Sequence, residues 1–83
     1  MKTKKKLVCC HLTTYWDSNY VSYYFKDENE SIYEWYTKSD KAFEEIRENT
    51  VINASFKELS SWINQNPKYK LGTKITTIQN VRW

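Results

Sequence analysis

The chain has 83 residues, which is enough for one small domain that we expect to span residues 1–83. Its net charge is only +3, which does not by itself indicate a strongly basic nucleic-acid-binding protein. No apolar run approaches the ~18 residues of a membrane-spanning helix, so we expect no membrane association. Much of the stability of so small a core must come from the four Trp, seven Tyr and three Phe.

Charge is distributed unevenly along the chain. Residues 1–26 carry five Lys and one Asp, residues 27–48 carry eight acidic and three basic residues, and residues 49–83 carry five basic residues and one Glu. The chain is therefore basic at both ends and acidic in the middle. If the fold brings the ends together, it forms one basic and one acidic surface. The alternative is a mixed surface that has no target.

The first predicted element is a long strand over residues 4–16, followed by a turn at 17–19. Alternation sorts its side chains onto two faces, one with Leu7, Cys9 and His11 and the other with Val8, Cys10 and Leu12.

The two cysteines are adjacent and would point to opposite faces of this strand, so we expect no disulfide between Cys9 and Cys10. The segment Cys-Cys-His lacks the ligand spacing of a zinc site. We therefore expect two reduced thiols, a cytoplasmic protein, and neither a metal ion nor another cofactor.

Residues 20–37, YVSYYFKDENESIYEWYT, are predicted to form an aromatic-rich β-hairpin around the polar turn KDENE. Aromatic rings fall on both faces of this hairpin. One face carries Val21, Tyr23, Phe25, Tyr33, Trp35 and Thr37, and the other carries Tyr20, Ser22, Tyr24, Lys26, Ile32, Glu34 and Tyr36. Only one of the two faces can be core.

A short helix is predicted after the hairpin. Ser39 is the expected N-cap, and Ala42, Phe43 and Ile46 form an apolar stripe with Phe43 and Ile46 in the core. The helix is expected to end near Asn49.

The remainder of the chain is predicted to form two strands. Ile52, Ala54 and Phe56 alternate in a fourth strand that continues to about Leu59, although residues 55–65 also have helical apolar spacing and a potential capping box. A long loop then leads to a β-branched last strand at 73–83.

This order of elements predicts a mainly β fold with one short helix, namely a five-stranded Greek-key barrel of the OB-fold type with the order β1-β2-β3-α-β4-β5. The segment FKDENESIYEWYTKS resembles the "FKDEDGN…WFTS" hairpin of small oligonucleotide-binding (OB) domains in phage and plasmid replication proteins. VINASFKELSSW and ITTIQNV are similar to the closing segment of those domains. Glu30 stands where the family has a turn glycine, and Ala54 lies near the position of its fourth-strand glycine.

The resemblance implies a binding face for single-stranded nucleic acid on strands two and three, flanked by the loops between strands one and two and between four and five. It places Phe25 and Trp35 inside the barrel, with Val21 on the same face. The residues then expected to contact nucleic acid or a partner are Trp16, Tyr20, Tyr24, Lys26, Tyr36, Lys68, Tyr69, Lys70 and Lys74.

Several of these residues also have an ordinary structural interpretation. Tyrosine on a strand is often half-buried packing, and Glu34 in the middle of the face would repel phosphate. Trp62 could cap the end of the barrel. The acidic residues Asp27, Glu28 and Glu30 lack the spacing of a calcium loop, so we expect a solvated turn there.

Catalytic motifs are not found in the sequence. The chain has one His, no glycine-rich phosphate loop and no nucleophile elbow, so we expect neither an enzyme nor a small-molecule substrate.

Three functions are compatible with the sequence. The first is a single-stranded-DNA-binding accessory protein of replication in a phage, plasmid or other mobile element. The second is a protein-binding accessory subunit of a polymerase, primase or helicase of such an element, because exposed Tyr and Trp are also typical of protein interfaces. The third is a phage-encoded inhibitor of a host defence nuclease, of the anti-CRISPR type, in which the acidic middle of the chain mimics nucleic acid.

Overall fold

The computed structural model of the chain describes residues 3–15, 18–65 and 73–83. Within these residues the chain forms five strands and one helix, in the predicted order. They are β1 (Thr3–Thr14), β2 (Val21–Lys26), β3 (Ile32–Thr37), α1 (Asp40–Glu45), β4 (Val51–Ile63) and β5 (Lys74–Arg82).

The strands close into a single barrel in the spatial order β1-β2-β3-β5-β4. β4 pairs antiparallel with β1 and closes the barrel, while β3 and β5 form a parallel pair. The mainly β, OB-like barrel that the sequence predicted is therefore confirmed. Among the described residues no helix is long and apolar enough to cross a membrane.

Aromatic side chains of the hairpin fill the barrel interior. Cross-strand partners Tyr23 and Trp35 are both buried, with their ring centroids 5.7 Å apart, and Phe25 lies opposite the buried Tyr33. The predicted inward positions of Val21, Phe25 and Trp35 are confirmed. Ile52, Ala54 and Phe56 of β4 also enter the core as predicted.

A bulge in β1 changes which of its side chains face inward. Leu7 and Cys9 are buried, as their shared face predicted. Between Cys9 and His11 the register with β2 shifts, so that His11 lies opposite Tyr24 and Leu12 lies opposite Tyr23. An extra residue in one strand exchanges the two faces beyond it. The prediction that His11 shares the face of Leu7 is therefore wrong, and Leu12 packs against the core instead.

The helix is shorter than predicted, and one of its apolar side chains that was expected in the core is exposed. Ser39 is its N-cap, as predicted, and its hydroxyl accepts a 3.2 Å hydrogen bond from the N–H of Ala42. Ala42 and Ile46 are buried, but Phe43 is 39% exposed, so its predicted place in the core is wrong.

The helix ends early because the chain turns back onto β1. Ile46 already has an extended backbone. Asn49, with a positive φ of 74°, donates its N–H to the carbonyl of Cys9, and Cys9 donates to the carbonyl of Thr50. These two backbone hydrogen bonds start the pairing of β4 with β1, which leaves no room for a further helical turn.

β4 continues to Ile63, beyond the predicted end near Leu59, and the helical alternative for residues 55–65 is wrong. The strand has two successive partners. Its first half pairs with β1, and its second half follows β5 as far as the pair between Ile63 and Lys74, with two register irregularities on the way. Tertiary pairing therefore overrides the local helical spacing.

Burial predicts a large difference in stability between alanine substitutions at Phe56 of β4 and Phe43 of α1. Phe56 is fully buried, whereas Phe43 is 39% exposed. Phe56→Ala is expected to lower the free energy of unfolding by about 3–5 kcal/mol through lost burial and a cavity, and Phe43→Ala by less than about 1 kcal/mol. Urea unfolding followed by Trp fluorescence measures both.

The milder variant Phe56→Leu covers the case in which Phe56→Ala does not fold, with an expected loss of about 1 kcal/mol. Equal losses for the two alanine variants would contradict this assignment of the core.

Candidate nucleic-acid interface

The outer hairpin face consists of the residues of β2 and β3 that point away from the barrel interior, together with Tyr20 before β2. Its cross-strand pairs are Ser22 with Tyr36 and Tyr24 with Glu34. Tyr36 is 51% exposed, while Tyr20, Tyr24 and Lys26 are half-buried. The structure thus brings four of the sequence-predicted site residues, Tyr20, Tyr24, Lys26 and Tyr36, to one face.

At one end of this face the rings of Tyr15, Tyr20 and Tyr36 form a tyrosine cluster. Tyr20 and Tyr36 stack in parallel, with centroids 4.6 Å apart and planes 10° apart. Tyr15 meets Tyr36 edge to face at 5.7 Å, and its hydroxyl lies 3.1 Å from the hydroxyl of Ser22. The ammonium of Lys38 lies 5.8 Å from the centroid of the Tyr20 ring, a cation–π distance.

Sequence reasoning missed Tyr15 and Lys38 as members of this cluster. Tyr15 lies inside the predicted first strand but just beyond the observed end of β1, and Lys38 follows the end of β3. Beyond a strand end, alternation no longer assigns a face. Their position depends on the packing of the neighbouring rings, for which the sequence contains no local signal.

In the middle of the outer hairpin face, Tyr24 and Glu34 form a polar pair. The Tyr24 hydroxyl donates a 2.7 Å hydrogen bond to the Glu34 carboxylate. The ring of Tyr24 also lies 6.0 Å from that of His11, and the Nε2 of His11 lies 3.1 Å from the Thr13 hydroxyl. The carboxylate that would repel phosphate is therefore engaged by a tyrosine of the same face.

Lys26 lies at the other end of the face, beside the hairpin turn. Its ammonium forms a 3.1 Å ion pair with Glu30, and the hydrogen bond that it donates to this carboxylate raises the pKa of Lys26 above its ordinary value. The residue borders a surface cavity of about 470 Å³ that also involves Lys6, Cys10 and Asn49. Positive charge at this end is thus partly neutralised by the acidic turn.

A buried carboxylate anchors the same turn. Asp27 accepts hydrogen bonds from the N–H groups of Asn29 and Ser31, from the Tyr33 hydroxyl at 3.0 Å and from the Lys5 ammonium at 3.3 Å. Burial alone would raise the pKa of Asp27, but the hydrogen bonds from Ser31, Tyr33, Lys5 and Asn29 outweigh it and lower this pKa below its ordinary value.

The expectation of a solvated turn is therefore wrong for Asp27 and correct for the exposed Glu28 and Glu30. Among residues 3–15, 18–65 and 73–83, no group of three or more His, Cys, Asp or Glu side chains is arranged to hold a metal ion.

The remaining predicted site residues are placed differently. Trp16, Lys68, Tyr69 and Lys70 lie outside the described residues. Lys74 is exposed at the first position of β5.

Trp62, which the sequence suggested as a cap of the barrel end, lies in β4, and its indole N–H donates a 3.3 Å hydrogen bond to the Thr77 hydroxyl. Since Thr77 lies opposite Glu34, Trp62 extends the outer hairpin face across β5.

Comparison with protein-family models, with curated proteins and with solved structures finds no match to this chain. The interpretation of the site therefore depends on the geometry of its residues.

The Asp27 network predicts a pH-dependent contribution to stability. The pKa of Asp27 is lower in the folded than in the unfolded chain. The ionised Asp27 therefore stabilises the folded chain at pH values above the ordinary carboxyl pKa of about 3.9. This stabilisation disappears as the pH falls through the pKa that Asp27 has in the folded chain. Asp27→Asn should cost about 1.5–3 kcal/mol at neutral pH. Urea unfolding between neutral pH and pH values below the ordinary carboxyl pKa should show this cost shrinking with acidification.

Glu28→Gln, at an exposed position of the same turn, is the matched control and should change the free energy of unfolding by less than about 0.5 kcal/mol. A cost of Asp27→Asn that is the same at every pH would contradict the proposed role of the carboxylate.

Proposed function

We propose that the protein is a non-enzymatic accessory protein of replication in a phage, plasmid or other mobile element, and that it binds single-stranded DNA across the outer hairpin face. The observation that carries this proposal is the tyrosine cluster, which places an exposed ring, Tyr36, on the β2–β3 face of an OB-like barrel. The resemblance of the hairpin and closing segments to replication-protein OB domains supports the biological setting. Cys9 and Cys10 form no disulfide, which agrees with a cytoplasmic location.

The stacked pair of Tyr20 and Tyr36 is suited to extending a stack onto a base. The two rings are already parallel, so they lose little conformational freedom when a third ring is added. Base–aromatic stacking contributes about 1–3 kcal/mol per base and tolerates any sequence, because every base has a π-face. The edge contact of Tyr15 with Tyr36 further fixes the orientation of the exposed ring.

Cations at the two ends of the face are suited to the phosphates. Lys38 lies beside the tyrosine cluster and Lys26 beside the hairpin turn. Between them Glu34 carries a negative charge, of which the hydrogen bond from Tyr24 occupies one oxygen. We therefore expect modest, salt-sensitive affinity, since each neutralised phosphate releases counterions.

A second candidate, a protein-binding accessory subunit of a polymerase, primase or helicase, is favoured by the exposed apolar residues near the end of β4. Leu59 is 51% and Ile63 is 56% exposed, and Trp62 lies between them in the strand. If the protein binds no oligonucleotide at low salt, this second candidate is the better interpretation of the exposed side chains.

Tyr36→Ala should weaken the binding of a fluorescein-labelled thymidine oligonucleotide about 5- to 100-fold, as expected from a stacking free energy of about 1–3 kcal/mol. Fluorescence anisotropy over a series of salt concentrations measures the affinity and its salt dependence. Phe43→Ala removes a comparably exposed ring from α1 and should leave the affinity unchanged. Equal weakening by both substitutions, or no binding by the wild-type chain at low salt, would contradict the proposal.

Glu34→Gln should strengthen binding of the same oligonucleotide about two- to fivefold at low salt, because it removes a charge that repels phosphate. This gain should vanish at high salt, where the charge is screened. Glu44→Gln, at an exposed position of α1, serves as the matched control. An equal gain from both variants would indicate a general effect of net charge and would argue against a strand that lies over Glu34.

A further inference from the structure

The parallel strands β3 and β5 separate after a short paired segment. Residues 32–34 pair with residues 75–77. Beyond that point, within the described ranges, residues 35–37 pair with β2, and Gln79 and Arg82 pair with β4. Each strand therefore presents one unpaired backbone edge towards the other, and such edges are templates for pairing with another chain.

The space between these edges is an open cavity of about 480 Å³, here called the β3–β5 groove. Trp35 and Trp83 form its apolar wall, with ring centroids 5.8 Å apart in an edge-to-face arrangement. The backbone of β5 borders the groove at Asn80, Val81 and Arg82. Trp35 is buried and Trp83 is half-buried, so the groove combines an unpaired strand edge with one partly accessible ring, that of Trp83.

The charged side chains of the groove are all basic. Lys41 and Arg82 line it, and its described lining contains no Asp or Glu. The ammonium of Lys41 lies 4.7 Å from the Trp83 ring centroid. Neither cation forms an ion pair within the described part of the chain. The nearby carboxylate of Glu45 accepts a hydrogen bond from the Trp83 indole N–H at 3.1 Å, which fixes the indole.

A bulge limits how much of the β5 edge is available. Asn80 has a positive φ of 56°. Gln79 pairs with Lys57 and Arg82 pairs with Ser55, so β5 has one residue more than β4 between these two pairs. A bulge re-aims the backbone groups on either side of it. An added strand could therefore form only a short ladder with β5, and side-chain contacts would have to supply much of the selectivity.

We propose that the β3–β5 groove binds an extended, acidic peptide segment of a partner protein. The peptide adds to the free edge of β5, places carboxylates beside Lys41 and Arg82, and packs an apolar side chain against Trp83. Backbone hydrogen bonds to an open strand edge are the mode of recognition of extended peptides, whereas a nucleic acid has no matching series of N–H and C=O groups. This site is separate from the outer hairpin face, because Trp35 faces the groove and the neighbouring Tyr36 belongs to the opposite side of β3.

The probe is a fluorescein-labelled short peptide of alternating aspartate and leucine, titrated with the full chain in an anisotropy assay. The double variant Lys41→Ala, Arg82→Ala should bind it about tenfold more weakly. Lys57→Ala, which removes an exposed lysine of the neighbouring β4, should bind it as the wild type does. A peptide of the same sequence that is N-methylated at alternate residues loses backbone donors and should also bind about tenfold more weakly.

Two further measurements locate the site. In ¹H–¹⁵N correlation spectra of the full chain, the probe peptide should shift the amide signals of Asn80 and Arg82 and the indole signal of Trp83, and leave those of Tyr24 and Tyr36 unchanged. Tyr36→Ala should leave peptide affinity unchanged, so that failure of this proposal and failure of nucleic-acid binding are distinguishable.

Three results would overturn the proposal: unchanged affinity of the double variant, equal binding of the N-methylated peptide, or no binding of the probe peptide at low salt. Displacement of the peptide by a thymidine oligonucleotide, with shifts of the same Asn80 and Trp83 signals, would also overturn it and would identify the groove as a phosphate-binding site.

Discussion

The cross-strand register of β2 and β3 fixes which side chains of the hairpin enter the barrel and which remain outside. It places Tyr23 opposite Trp35 and Phe25 opposite Tyr33 inside the barrel. The same register places Tyr24 opposite Glu34 outside. Because the side-chain period of a strand is two, a slip of one residue would exchange these sets. The large rings that fill the core and the ring proposed to contact DNA are therefore fixed by one set of backbone hydrogen bonds.

The hairpin turn connects this register to the distribution of charge. Asp27 is buried against Lys5 and Tyr33, and Lys26 pairs with Glu30. The basic start of the chain and its acidic middle thus meet and partly neutralise each other at this end of the barrel. At this end of the barrel, the surface therefore carries charges of both signs.

Two lysines that form no ion pair within the described part of the chain lie beside aromatic rings. Lys38 lies beside Tyr20, and Lys41 lies beside Trp83. Adjacent residues of β3 lie at these two sites: Tyr36 belongs to the tyrosine cluster, and Trp35 lines the β3–β5 groove. Alternation along one strand thus allows a domain of this size to carry two separate candidate surfaces.

Sequence patterns predict the order of the elements, the faces of the hairpin and the N-cap at Ser39, because alternation and capping are local properties of the chain. Four features are visible only in the folded chain: the bulge that turns His11 outward, the exposure of Phe43, the extension of β4 to Ile63 and the burial of Asp27. The bulge, the length of β4 and the burial of Asp27 depend on which distant strand supplies the next hydrogen bond or ion pair, as Lys5 does for Asp27. The tyrosine cluster was found only in part from the sequence, since Tyr15 reaches it by packing beyond the end of β1.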